Sequence, residues 1–333
     1  MTPIASLTVL RQLLLERVIA GQNVAINRLF ADIASDIEDI LAGKPLTEYK
    51  GRRLAAQIKG VMDVVELRTP NIGELATIES EWVAASMGAL GVDVALPTAA
   101  TLSSIATNSL VQGATMGAWF SKLQADTRFN IDRTIRAAVA QGQTNQEISR
   151  RILGLTSEGI KGPEPMKKAI RDAMAITRTG VQTVSNEARL ATFEANADII
   201  QAVQQLSTLD GRTSETCMAY SGKIWTLPDY RPYKHSLPWN GGTPRHWNCR
   251  STIVPIIDID EDRSGQTRAS AFGPVSADLS FDDWLKSQPS ELATEMLGKG
   301  RAELWRDGKI TLSQLVDGRG RELTLAQLRE RVK

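Results

Sequence analysis

"DIIQAVQQLSTLDGRTSETCMAYSGKIWTL", residues 198–227, is where the pattern of the chain changes. Upstream, apolar residues recur at three- and four-residue spacing, as helices require. Here Ile200, Ala202 and Leu206 alternate with Gln201 and Gln205, which predicts a strand buried on one face, although Val203 and Gln204 break the alternation. Asp210-Gly211 is a turn signal. Ser214 can cap a single helical turn over "SETCMAY", with Gly222 as its stop. "KIWTL" (223–227) and "STIVPII" (251–257) read as two further strands, with Pro255 at a sheet edge because proline cannot donate to a ladder. A long helix precedes them over "MKKAIRDAMAITRTGVQTVSNEARLATFEAN", with Ile170, Met174, Val181, Val184 and Ala188 on its apolar side.

Working outward, residues 1–155 read as helical. Leu7, Leu10, Leu14 and Val18 form one apolar stripe, continued by Ile26, Leu29, Phe30, Ile33, Ile37 and Ile40 up to Gly43 and Pro45. Thr47 and Glu48 open a second helix reaching Arg68, and Asn71 caps a third that Gly91 stops. Thr144-Asn145-Gln146-Glu147 is a capping box. "GLTSEGIKGPEP" (154–165) is Gly/Pro-rich and marks a boundary. "DRSGQTRASAFGPVSAD" (262–278) reads as a polar linker. Beyond it "FDDWLKSQPSELATEML" reads as a helix stopped at Gly298, followed by shorter helical stretches. The expected class is α+β: a mainly helical N-terminal half (1–155), a small antiparallel-sheet core with a long helix (156–260), and a linker with a helical C-terminal tail (261–333).

The chain has 333 residues with a formal net charge of +1, which gives no argument for an acidic partner. The excess is local. Residues 151–257 carry 13 basic against 9 acidic residues, net +4. Arg11 and Glu16 interrupt the apolar N-terminus, so it reads as an amphipathic helix and not a secretory signal. No stretch approaches the roughly 18 uncharged apolar residues of a membrane span. With 2 cysteines there is no disulfide framework, and the expected compartment is a reducing cytoplasm or a particle assembled there.

The scarce chemistry is concentrated. Both cysteines and both histidines (Cys217, His235, His246, Cys249) lie between positions 217 and 249, among Trp225, Trp239, Trp247 and four spacing prolines. Several readings stand open on these residues alone. His246-x-x-Cys249 is an acceptable zinc half-site that Cys217 and His235 can complete, although zinc sites usually show two close pairs and this one shows one. A cysteine beside His246 makes a thiolate–imidazolium pair, but no third orienting group is evident. A Cys217–Cys249 disulfide is conceivable only in an oxidising compartment. The reading the residues favour is structural: Asp210, Arg212, His246 and Arg250 in a buried hydrogen-bond and ion-pair network that closes a proline-stiffened loop. Basic residues interleaved with aromatic rings also suit a nucleic-acid surface, against the plainer alternative of rings packed inward.

Asp210-Gly211-Arg212-Thr213-Ser214, Cys217, Gly222-Lys223, then Pro244, His246 and Cys249-Arg250 resemble the signature of the phage Mu F-like head morphogenesis (minor capsid) proteins. Their pattern is roughly D-x-R-T-S-x-x-C followed, after a variable loop, by P-x-H-x-x-C-R-C. The helix with "ITRTGVQTVSNEA" and the tail "FDDWLKSQPSELATEMLGKGRAELWRDGKITLSQLVD" are similar too, so the resemblance covers residues 166–320. Ser251 stands where the family has its second cysteine, which removes a ligand-bearing position. The resemblance implies a virion protein present in few copies, made in the host cytoplasm and associated with a portal protein and a major capsid or scaffold protein. Contact with packaged double-stranded DNA is a further expectation. It implies no catalysis, and no cofactor is expected, with zinc on Cys217, His235, His246 and Cys249 left open by the residues themselves and weakened by Ser251. The alternatives are a DNA-binding accessory protein of the virion and a degenerate transferase or Cys/His hydrolase. Against the transferase, the chain lacks a set of Arg, Ser-Thr-Ser and Glu-x-Glu.

Overall fold

The computed structural model describes residues 3–42, 53, 56, 72–154, 165–260, 267–271, 273–276 and 279–332. In chain order the helices of the first half are α1 (Pro3–Leu41), α2 (Leu75–Gly88), α3 (Ala99–Asn108), α4 (Met116–Ala140), α5 (Asn145–Leu153) and α6 (Pro165–Glu194). Then come β1 (Ala202–Leu206), α7 (Glu215–Tyr220), β2 (Ile224–Thr226), β3 (Pro232–Tyr233), β4 (Thr252–Ile256) and the strands β5 (Thr267–Ser270) and β6 (Gly273–Ser276). The tail holds α8 (Phe281–Lys286), α9 (Ser290–Leu297), α10 (Lys299–Arg306), a 3-10 turn (Leu312–Leu315) and α11 (Leu325–Arg331). The class is α+β, as expected. The helix placed between Thr47 and Arg68, the Asn71 cap and most of the 154–165 boundary lie outside the described residues.

The chain forms two compact units, one of residues 1–16, 72–112 and 181–333, the other of residues 17–71 and 113–180. The expected 1–155 arm contributes to both. The second unit is helical among its described residues apart from the two-residue strand Ala114–Thr115. Its buried side chains include Ile26, Phe30, Ile33 and Ile37 of α1, Phe120, Ile131 and Ile135 of α4, Ile148 and Ile152 of α5, and Ala169, Ala173 and Ile176 of α6. The predicted capping box at Thr144 and Glu147 is formed, and Gly154 ends α5 in a left-handed conformation at φ 79°. A side chain at Gly180 would meet the Met116 sulfur at 2.5 Å, so only glycine allows this approach.

The predicted stripe on α1 is corrected in its first turns. Leu10, Leu14 and Val18 are 58%, 44% and 42% exposed, whereas Leu15 and Ile19 are buried. This helix is apolar on two faces, and a 3.6-residue period finds both without ranking them. On α6, Ile170 and Met174 are half-buried while Ala169 and Ala173 are fully inside.

The first unit carries a four-stranded sheet of order β3-β2-β1-β4, with every pairing antiparallel. Val203 of β1 stands opposite Trp225 on one side and Pro255 on the other, so Pro255 lies on the edge strand as predicted. β1 and β2 are the inner strands of this arrangement. Ala202, Val203, Gln205 and Leu206 of β1 are all buried, which is why its alternation is broken. One core joins Val83 and Met87 of α2, Phe193 of α6, Val203, Ile253, Trp225 and Tyr220. A second core joins Leu209 and Met218 to the tail through Phe281, Trp284, Leu297 and Trp305.

Two tail expectations change. Within 262–278, Thr267–Ser270 and Gly273–Ser276 pair as an antiparallel hairpin, with Gly273 at φ 113°, a value strained for other residues. "FDDWLKSQPSELATEML" is two helices, because Pro289 cannot continue the first one.

A buried ion network fastens this unit. Glu79 on α2 is fully buried, and its carboxylate accepts from Arg189 Nε of α6 at 3.0 Å and from Arg11 Nε of α1 at 2.7 Å. Arg189 also donates to Thr252 Oγ1 of β4. Removing one partner from such a network leaves an uncompensated buried charge. Glu79→Ala is therefore expected to lower the unfolding free energy by roughly 3–5 kcal/mol. Equilibrium chemical denaturation of the full chain measures it, and a loss under about 1 kcal/mol would contradict this role.

Candidate functional site

The site begins at the turn after β1. The Asp210 carboxylate accepts the Arg212 N–H at 3.0 Å and the Thr213 hydroxyl at 3.2 Å, while the Thr213 hydroxyl also reaches the Thr208 carbonyl at 2.6 Å. Ser214 then caps α7 by accepting the Cys217 N–H. Across from this turn, Arg250 grips Asp210 with two parallel bonds, Nη1 to Oδ2 at 2.7 Å and Nη2 to Oδ1 at 2.6 Å. Planar fork-to-fork pairing of this kind fixes orientation as well as distance. Burial pushes the Asp210 carboxyl up, but the Arg250 bonds together with the Arg212 N–H and Thr213 hydroxyl outweigh it, so it sits below its ordinary value.

Beside the clasp lies the sulfur cluster. Cys217 and Cys249 are 2% and 0% exposed, with their sulfurs 3.6 Å apart. Cys217 Sγ is also 3.3 Å from His246 Nε2, and Ser214 Oγ is 2.8 Å from the same nitrogen. The hydrogen bond between the sulfurs raises the Cys217 thiol and, with His246 alongside, depresses that of Cys249. His246 Nδ1 lies 2.8 Å from the Trp247 carbonyl, which can only accept, so Nδ1 carries a proton and Nε2 faces the cluster; the hydrogen bond to Cys249 raises the His246 pKa. A small pocket lined by Thr208, Ser214, Cys217, His246, Asn248 and Ser251 borders it.

Two predicted members lie elsewhere. His235 Nδ1 accepts the Leu237 N–H at 3.1 Å and Nε2 donates to the Ile224 carbonyl at 2.7 Å. Its ring packs edge-on to Trp225, and burial lowers its pKa. It is absent from the Cys217–His246–Cys249 group, so the four-ligand set shrinks to three. Arg212 does not join the buried network. Its side chain is 81% exposed and 3.7 Å from Asp210, and the contribution comes from its backbone N–H.

The proline-rich loop folds its rings inward. Tyr220 stacks on Trp225 at 5.8 Å, Trp239 meets Trp225 edge-on at 5.2 Å, and Tyr230 stacks on Trp239 at 4.9 Å. The Leu227–Pro228 and Thr243–Pro244 peptides are cis. Arg245 lies 3.6 Å over the Tyr220 ring and donates to Gln205 at 2.7 Å, and burial moves its pKa down to about 10. Arg245, Gln205 and the Ser207–Ser251 hydroxyl pair at 2.9 Å were not singled out from sequence. Arg245 had only its place beside His246 as a signal, and Gln205 and Ser207 had none.

Residues 129–254 match the family model described as Phage Mu protein F like protein. This is the family the signature residues resemble, and the span contains the whole clasp and the sulfur cluster. Over this span the chain is similar to that family, which supports a Mu F-like phage protein. No curated protein and no solved structure matches the chain.

Asp210→Asn keeps the shape but removes the charge that Arg250 needs. It is expected to cost about 2–3 kcal/mol in denaturant unfolding, with Arg250→Lys intermediate because lysine cannot pair bidentately. The folded carboxyl titrates below its unfolded value. Its contribution is therefore complete above about pH 4 and is lost as pH falls through the folded pKa. A stability profile in which wild type and Asp210→Asn run parallel between neutral and acid pH would contradict this.

Proposed function

We propose that this Mu F-like chain is a minor head protein of a tailed phage, taken up in few copies at the portal vertex during procapsid assembly in the host cytoplasm. The observation that carries the reading is the family match over residues 129–254, a span that contains the signature residues from Asp210 to Arg250. Its partners in this reading are the portal protein and the major capsid or scaffold protein. Among the described residues no helix is long and apolar enough to cross a membrane.

The docking part in this reading is α1. Leu10, Leu13 and Leu14 are 58%, 57% and 44% exposed and lie along one helix face. Contiguous exposed apolar surface marks interaction sites more often than chance placement does. The loop rings that might have stacked on DNA bases pack on one another instead, and Arg245 and Arg250 are occupied within the fold. Assembly contacts therefore fit this chain better than a sequence-tolerant DNA platform.

Leu10→Glu combined with Leu14→Glu tests this, because exposed substitutions usually change stability by under about 0.5 kcal/mol each. The expected result is a folded chain whose ratio to portal protein in purified procapsids falls severalfold. Undiminished incorporation would remove α1 as the docking part. Absence of the wild-type chain from procapsids would remove the head-protein reading itself.

A further inference from the structure

We propose that Cys217, Cys249 and His246 together hold one zinc ion, with the fourth coordination position open to the adjoining pocket. The inference stands on the geometry of these residues and does not depend on the head-assembly role.

The first argument is spacing. Zinc takes thiolate sulfur at about 2.3 Å and imidazole nitrogen at about 2.0–2.1 Å in a tetrahedron. Those bond lengths place two thiolates about 3.7 Å apart and a thiolate about 3.5 Å from the imidazole nitrogen. The corresponding separations here are 3.6 Å for the sulfurs and 3.3 Å for Cys217 Sγ to His246 Nε2, and no pair of ligand atoms exceeds 4.8 Å. Two edges of a coordination tetrahedron are therefore in place before the ion, and the third pair, Cys249 Sγ and His246 Nε2, lies within 4.8 Å.

The second argument is independent of spacing. A ligating histidine needs a free lone pair on one nitrogen and a fixed proton on the other, usually given to a carbonyl or carboxylate. The Trp247 carbonyl does this for His246 Nδ1, at 2.8 Å, and leaves Nε2 facing Cys217 Sγ at 3.3 Å and Ser214 Oγ at 2.8 Å, a hydroxyl that the ion would displace from the nitrogen. The His246–Cys249 segment is a tight turn closed by the Cys249 N–H on the His246 carbonyl at 3.2 Å, with Asn248 in the left-handed region at φ 61°. That turn brings an i, i+3 pair of ligands to one side, and Ser214, by capping α7, delivers the third.

Charge also balances. As each Zn–S bond forms, any proton still on that thiol passes to solvent, and two thiolates then cancel the double charge of the ion. The group left behind is neutral, as a site with cysteines only 2% and 0% exposed requires. Ser214 and Ser251 line the pocket beside the open position, so a water molecule held by hydroxyls completes the shell there.

The test uses the purified full chain, supplied with zinc during expression and kept reduced. Elemental analysis is expected to give about one zinc per chain, falling towards zero in Cys249→Ser and in His246→Ala. Replacement of zinc by cobalt in the wild type is expected to give thiolate-to-cobalt charge transfer and the ligand-field bands of a tetrahedral ion, a readout that needs no variant to fold. Ser251→Cys is expected to keep the metal and hold it longer against a chelator. Folded wild-type protein without stoichiometric zinc overturns the proposal, as does a Cys217–Cys249 disulfide persisting under reduction. Zinc retained unchanged in both ligand variants, or cobalt spectra without thiolate charge transfer, overturns it equally.

Discussion

The Arg189 guanidinium sits at 1% exposure in the middle of an apolar core, and the sheet-bearing unit is arranged around keeping that charge paired. Moving such an ion out of water costs several kcal/mol unless geometry and hydrogen bonds compensate. Glu79, itself fully buried, supplies the counter-charge, and Arg11 shares it from the other side. Three segments distant in sequence, at the starts of α1 and α2 and on α6, are thereby fixed together. The same guanidinium reaches Thr252, and Asn186, one helical turn earlier, accepts from the Thr252 hydroxyl at 3.1 Å and the Ile253 N–H at 3.3 Å. The first residues of β4 are thus bolted to α6. Cys249, Arg250 and Ser251 immediately precede them, so the position of the site follows from where a buried charge can be neutralised.

From that anchor, α7 divides its short surface among three neighbours. Met218 enters the core shared with the tail, Ala219 and Tyr220 enter the sheet core, and Cys217 faces His246 and Cys249. A helix of six residues has little stability of its own, since nucleation is costly and few bonds repay it. Its ends are accordingly held from outside. Arg301 pairs with Glu215 at 2.9 Å, and Glu322 accepts from the Thr216 hydroxyl at 2.7 Å. The Asp210–Arg250 fork then closes the loop over it. The C-terminal segment is therefore part of what keeps the cysteines in register, and not an appendage beyond the domain.

Much of this was legible because local rules coincide with the tertiary outcome. The Ser214 cap, the Thr144–Glu147 box, the turn at Asp210, the edge position of Pro255 and the Asp210–Arg250 tie each follow from a backbone requirement or a charge pairing that sequence displays. The failures have a common cause, which is that partners come from far along the chain. Glu79 and Arg189 are 110 residues apart and carry no spacing signal. His235 looked like a ligand by proximity in sequence, yet both its nitrogens are consumed by backbone groups of β2 and its own loop. The alternation of β1 was broken because an inner strand covered on both faces has no polar side to show. The hairpin at 267–276 lacked the apolar run that would have announced it.

The two apolar faces of α1 pose a problem of another kind. Burial of one face explains Leu15 and part of Leu7, and a helix needing only that face would gain solubility from polar residues at positions 10, 13 and 14. Leucine there carries a standing penalty, since exposed apolar surface favours unwanted association. A chain that circulates alone would lose nothing by replacing them. The residues make physical sense if the face is covered in the working state. The energetics then divide cleanly along the chain. The buried charge on α6 is neutralised from α2, with Arg11 of α1 sharing the carboxylate, whereas Leu10, Leu13 and Leu14 at the start of α1 leave apolar surface exposed.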